Sequence, residues 1–381
     1  MKSIIYFLAS VIIISFSSCS GSSEKDDQKS VINISIDSAI VDAKGEIIDT
    51  KYGIYSFGFD DDKNFMYKFN TNNRHGLEII DINKMELIDF IPFEIEGPNG
   101  TGSRVNMVNY ISDKEIAITN FQSILIFDFN GKLIRKYAID NHDFDGDTLS
   151  EDLLMESSGL FIPQNKLSFN LVNEGFGKSR GIAKLNLEEN IREFYWIDEL
   201  KKLDDYQISL TDDGKMVMML RTYLYKTFQE DKFILSHDME NELFYYDLKV
   251  DSVIHKKYES QLSANLNEAS GKTQTDSREE LGKIVSERNK GIRFKDIVFD
   301  KKNNRYYRFS TYSTSTDPKE EKWNIILTVF DENLNMINET ENVPLEELPK
   351  TYFVKDGKIY VYKNMEDEMG FLVLSLSNQV N

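Results

Sequence analysis

Three features of the 381-residue sequence predict an all-β fold, a six-bladed β-propeller with four-stranded antiparallel blades. One kind of hairpin recurs along the chain. A shorter hairpin recurs between its copies. The two ends of the chain complement each other. Aromatic residues form 12% of the chain, with 25 Phe and 19 Tyr against 6 Pro. That composition suits strands, where aromatic and β-branched side chains pack well.

The recurring hairpin is clearest at residues 124–137, Ile-Leu-Ile-Phe-Asp-Phe-Asn-Gly-Lys-Leu-Ile-Arg-Lys-Tyr. An apolar run ends at Asp128, and an alternating run leaves the corner. Asn130-Gly131 lets both central residues of a two-residue turn take positive φ, a strong hairpin signal. Echoes lie at 77–90, 182–194, 243–258 and 326–340, and a truncated copy lies at 371–376. The shorter hairpins have polar corners at 60–64, 112–114, 163–166, 211–215, 300–304 and 355–358. Four strands repeating every 45 to 80 residues or so read as propeller blades. The last unit has three strands, and residues 31–36 form a spare one. Placed as the outer strand of the last blade, it closes the ring and protects its edges. The single expected helix, within 275–289, has Asp276 or Ser277 as cap and Leu281, Ile284 and Val285 as its apolar stripe. It reads as a flap on the ring or as a partner-binding helix.

The first thirty residues read as an address. Lys2 gives a positive start, and residues 4–14 form an apolar run too short to span a bilayer comfortably. Phe16-Ser17-Ser18-Cys19 follows, and Cys19 is the only cysteine. With one cysteine, neither an intrachain disulfide nor a Cys-based zinc site is possible. The segments are then a signal peptide (1–18), a lipidated Cys19 with a polar tether (19–30) and one domain (31–381). The other reading is an ordinary signal peptide that contains a cysteine.

The lipobox at 16–19, Glu96-Gly97-Pro98-Asn99-Gly100 and Arg305-Tyr306-Tyr307-Arg308-Phe309 resemble the TolB-like six-bladed propeller lipoproteins of Bacteroidota, a family of unknown function. Phe16 stands where that lipobox usually has Leu. The resemblance implies cleavage before Cys19, a lipid anchor as the only membrane contact, and an outer-membrane address. Lys25-Asp26-Asp27 resembles the surface-export signal of such lipoproteins, or is a plain tether. The fold is implied strongly and an activity hardly at all.

The formal net charge is -19, or -20 without the first eighteen residues, which argues against nucleic acid as a partner. In a four-stranded blade the corners after strands one and three share a face, and here they are short. The other face carries the long segments 71–76, 94–104, 139–158, 173–180, 229–242, 260–291 and 313–323. Binding concentrates on such loops, although they also serve as caps. Arg74, Arg104, Arg180, Arg221 and Arg308 fall in or near that face by register. They form a ring for an anionic ligand or pair locally with carboxylates. His75 and His237 fall in corresponding loops of opposed blades. Asn141, Asp143, Asp145 and Asp152, with Gly146, nearly follow the spacing of an EF-hand calcium loop. Asn and Asp replace its end residues, and an acidic turn is the other reading. No nucleophile, metalloprotease, Walker or dinucleotide fingerprint is present.

The expectation is a monomeric, non-catalytic, lipid-anchored propeller that binds an envelope protein, peptide or glycan on the long-loop face. The alternative is a glycan hydrolase or lyase working in the central funnel. A sensor or accessory subunit of an envelope complex is a third possibility.

Overall fold

The computed structural model describes residues 32–378 except 52, 73, 140–143, 157, 176, 316–321 and 342. The protein is mostly β, built from consecutive antiparallel sheets. Sheet one comprises Phe57–Phe59, Phe65–Asn70, Gly76–Asp81 and Glu86–Pro92. Sheet two comprises Met107–Ser112, Glu115–Thr119, Ser123–Asp128 and Leu133–Ala138. Sheet three has Leu160–Ile162, Leu167–Glu174, Lys178–Asn186 and Ile191–Trp196, with short additions at Asp145–Gly146 and Leu153–Met155. Sheet four is Leu224–Gln229, Lys232–His237, Glu242–Asp247 and Ser252–Lys257. Sheet five is Arg293–Asp300, Arg305–Ser313, Trp323–Phe330 and Met336–Thr340. Sheet six joins Tyr352–Lys355, Lys358–Met365 and Glu368–Asn378 to the first strand of the chain, Ile32–Ile40. That pairing runs from Ile32 opposite Asn378 to Ile40 opposite Gly370, the expected partnership of the two ends.

The aspartate that ends the repeated apolar run has a structural reason. Asp128 Oδ1 accepts from the backbone N–H of Asn130 and Lys132, both at 2.9 Å. Asp81 does the same for Asn83 and Lys84, Asn186 for Glu188 and Glu189, and Asp331 for Asn333 and Asn335. Short polar side chains that bond to the backbone just ahead favour turns. The Asn130-Gly131 corner differs in detail from expectation. Gly131 alone takes positive φ, at 78°, and a bulge lies at Ile126/Phe127. The turn is thus longer than two residues, because Asp128 gathers its amides.

The cores lie between sheets. One cluster joins Phe69 and Leu77 of sheet one to Ile116 and Phe127 of sheet two. Equivalent clusters join sheets two and three, three and four, four and five, and five and six. Another joins Phe353 and Phe371 of sheet six to Met66 and Ile80 of sheet one. The first strands also meet: Phe57–Phe59 packs on Met107–Ser112, and Leu224–Gln229 packs on Arg293–Asp300. Gly58 sits at the first of these contacts, where a Cβ would fall 2.2 Å from Val108 O. Phe59 and Phe353 rings lie 4.6 Å apart, and Lys63 Nζ donates to Val354 O at 2.8 Å.

The fourth unit is organised differently from expectation. The Thr211–Lys215 corner does not open sheet four. It joins Ile208–Asp212 to Lys215–Leu220 in a small sheet completed by Gln274–Thr275. Sheet four opens at Leu224, and its first corner is Glu230-Asp231. Segment 229–242 is accordingly two strand ends and a strand rather than a long loop. The expected helix is present as α1, Arg278–Lys290. Ser277 caps it by accepting from Glu280 N, and Leu281 and Ile284 pack on Ile208 and Leu210. A 3₁₀ helix, Asp198–Tyr206, was not expected. Among the described residues no helix is long and apolar enough to cross a membrane.

Candidate functional site

A cleft of about 580 Å³ opens beside α1. Its walls come from Asn173, Gly177 and Ser179 in sheet three, segment 219–223 leading into sheet four, and the C-terminal half of α1. These belong to the side of the sheets that carries the long connections. Arg221, Tyr223, Arg288 and Arg293 line it.

Asp238 organises this cleft from below. It is fully buried. Its Oδ1 accepts from Tyr223 N at 3.0 Å, and its Oδ2 pairs closely with Arg293 Nη2. One carboxylate thereby fixes both the cation and the backbone of the aromatic residue. Arg293 Nη1 also donates to Asn289 Oδ1 at 3.0 Å. Arg288 donates to carbonyls, Tyr206 O at 3.0 Å and Arg221 O at 2.8 Å. Among the described residues no carboxylate lies within ion-pair distance of Arg288, and Nε of Arg288 and of Arg293 has no hydrogen-bond partner. Burial lowers the proton affinity of Arg288 and of Lys295, and Arg293 lowers both further. Tyr223 is 63% exposed and its ring lies parallel to that of Tyr225. Arg221 lies against Gly177, where an added Cβ would come 2.6 Å from its Nε. Glu156 also lines the cleft and is held by Lys226 at 3.0 Å.

The residues singled out from sequence scatter. Arg221 lines the cleft. Arg180 lies nearby, engaged with Asp204 through both Nη atoms and with Glu174. Arg74 pairs with Glu46 at 2.7 Å and covers the Phe90 ring. Arg104 is exposed, with its guanidinium 5.8 Å from the Phe121 ring centroid. Arg308 is fully buried and cannot belong to an exposed ring. It sits among Tyr258, Phe294 and Phe330, bonds Asn241, and has its pKa lowered to about 10 by burial. His75 Nε2 is 2.6 Å from Thr101 Oγ1, and burial lowers its pKa. His237 is fully buried on Glu242, which also receives His255 and Lys202. The two histidines therefore have separate local partners. Asn141 and Asp143 of the calcium-like loop lie outside the described residues, as does Cys19. Asp145 and Gly146 pair in parallel with Ile191 and Arg192, and Asp152 accepts from Ser150 Oγ. Gly146 is needed for that pairing, since a Cβ would meet Arg192 O at 2.5 Å. Among the described residues no cluster of three or more His, Cys, Asp or Glu could hold a metal.

Sequence reasoning missed Arg288, Arg293 and Tyr223. The signal was the basic run Arg288-Asn289-Lys290-Gly291-Ile292-Arg293-Phe294-Lys295 in an otherwise acidic chain. A different group stands on the first strand of sheet five. Asp296 accepts from Ile297 N at 2.8 Å and Thr227 Oγ1 at 3.1 Å, and burial pushes its carboxyl up to about 7.

The class is thus a mostly β protein of consecutive, largely four-stranded antiparallel sheets with a cationic cleft on one side. The chain belongs to the DUF4221 family, a domain of unknown function, which matches residues 30–341. A crystal structure of a DUF4221 member from Bacteroides vulgatus is 14% identical, with a TM-score of 0.63, covering 92% of this chain and all of that one. At that identity the likeness concerns the fold alone. The extracellular domain of a protein from B. thetaiotaomicron described as a one-component system is 10% identical. Its TM-score is 0.44, covering 86% of this chain and 34% of that one. Kuenenia stuttgartiensis hydrazine synthase is 10% identical at a TM-score of 0.38, covering 84% and 76%. These last two scores are too low to carry an argument. No curated protein matches the chain.

Proposed function

We propose that this chain is an envelope lipoprotein that binds a protein, peptide or glycan partner at the cleft beside α1, without catalysis. The cleft carries the reading: exposed Tyr223 and the largely buried Arg293 are fixed by one buried carboxylate, on segments held by packed sheets. The six sheets form a TolB-like six-bladed propeller in this reading. Its support is the succession of inter-sheet cores, including the one between sheets six and one. Cys19 carries the lipid that holds the protein in the outer membrane, with the cell surface as its destination, and the protein acts as a monomer.

Two experiments test this. Palmitate labelling in cells should mark the wild type and not Cys19→Ser; equal labelling ends the anchor proposal. The purified protein should capture a specific partner from envelope extract, and Tyr223→Ala should lose it. Capture indifferent to Tyr223→Ala removes the cleft from the proposal.

The second reading, a glycan hydrolase or lyase in the central funnel, rests on Asp296. A carboxyl titrating near 7 suits general acid–base work at neutral pH. Glycan turnover by the wild type that Asp296→Asn abolishes, with folding intact, would favour this reading over simple binding.

A further inference from the structure

We infer that the cleft beside α1 is an oxyanion site for a ring-bearing organic anion, its acidic group between Arg288 and Arg293 and its ring face on Tyr223. This rests on the binding reading above and names the chemistry of the ligand.

The argument begins with charge. Arg293 lies close enough to influence both Arg288 and Lys295, and Asp238 is the carboxylate that opposes them. Asp238 is already committed to Arg293 and to the Tyr223 amide. Arg288 is held in place by the Tyr206 and Arg221 carbonyls, which fix the guanidinium without neutralising it. A partly buried cation with no carboxylate in ion-pair contact among the described residues is costly, and an arriving oxyanion relieves that cost. Guanidinium groups match carboxylate, sulfate and phosphate oxygens in a planar fork. The overall charge of -19 does not cancel this. Charges beyond roughly 8 Å are largely screened at physiological salt.

The second half of the site is apolar and flat. Tyr223 is exposed beside these cations, and the Arg293 guanidinium lies 6.0 Å from its ring centroid. A ring laid on Tyr223 places a substituent group toward Arg293. Acidic sugars and aromatic acids share this chemistry.

Calorimetric titration of the purified protein tests the inference with four probes: a uronic-acid oligosaccharide, a sulfated oligosaccharide, their neutral counterpart, and benzoate. Acidic saccharides should bind at least about tenfold tighter than the neutral one, and more weakly at higher salt. Binding of benzoate alone would assign the site to aromatic acids and still support the oxyanion inference. Arg293→Gln should weaken acidic probes by about tenfold, and Tyr223→Ala by severalfold. Arg104→Gln, on a separate loop, should change nothing. Because Arg293→Gln also frees Asp238, thermal melts must show that the variant is folded; Tyr223→Ala and the salt dependence remain as independent readouts. Equal affinity for neutral and acidic probes, unaffected by Arg293→Gln, overturns the anion inference and leaves the binding reading standing. Failure of every acidic probe to bind below about 1 mM overturns it too, and envelope capture reports on the broader reading separately.

Discussion

Asp81 occupies the position that ends the apolar run in sheet one, and it collects two turn amides at 2.9 and 3.0 Å. It is nearly buried, so its removal strands those donors. Asp81→Ala should cost about 1–3 kcal/mol in urea unfolding, and Asp81→Asn should recover most of it. Glu242 makes a sharper case. It is almost fully buried, which opposes its charge. Hydrogen bonds from His237, Lys202 and His255 overcome that and lower its pKa from 4.5 to about 2. The depressed carboxylate contributes stability that is fully present above its unfolded value and lost as pH falls through the folded one. The protein should therefore lose stability steadily between about pH 4.5 and 2. Glu242→Gln should cost about 3–5 kcal/mol at neutral pH and flatten that acid slope, as followed by urea midpoints across pH.

Helix α1 is the element on which the cleft depends. Its own apolar surface is small. Leu281 and Ile284 meet Ile208 and Leu210 in a cluster separate from the cores between sheets. Arg288 stands near its C-terminal end. Leu281→Ala should cost about 2–4 kcal/mol, confined to this unit. Hydrogen exchange should quicken in α1 and in Ile208–Leu220 while sheets one, two and six keep their protection. Affinity at the cleft should fall in the same variant. Uniform quickening throughout would show that α1 belongs to the global cooperative unit.

At the scale of the whole molecule, the nine residues Ile32–Ile40 complete sheet six from the opposite end of the chain. Without them, Glu368–Asn378 becomes an unpaired edge. A chain lacking residues 1–40 should melt less cooperatively and aggregate in size-exclusion chromatography. A synthetic Ile32–Ile40 peptide should partly restore the parent's elution profile. A truncated chain that melts like the parent would show that sheet six stands without its closing strand.

Much of this was legible because it is local. Alternating apolar residues mark strands, and the aspartate after Ile-Leu-Ile-Phe marks its turn through bonds that reach only two to four residues ahead. The complementarity of residues 31–36 and 371–376 was legible too, since a lone strand and a three-stranded unit each need a partner. Sheet four was misread for a reason of the same kind. Asp213-Gly214 is a stronger turn signal than Glu230-Asp231, yet it closes a hairpin of the small sheet under α1. Turn chemistry says where a chain reverses, not which sheet receives the hairpin. Arg308 and Arg288 show the other limit. Both are arginines within regular elements, one mid-strand and one in the last turn of a helix. Contacts with residues distant in sequence bury the first among three rings and set the second, held by two backbone carbonyls, at the wall of a cleft. The sequence by itself determined strands, turns and the meeting of the chain ends, because those follow from neighbours along the backbone. Only the tertiary structure decided which cations face a common space, because burial and pairing depend on packing between segments far apart in the chain.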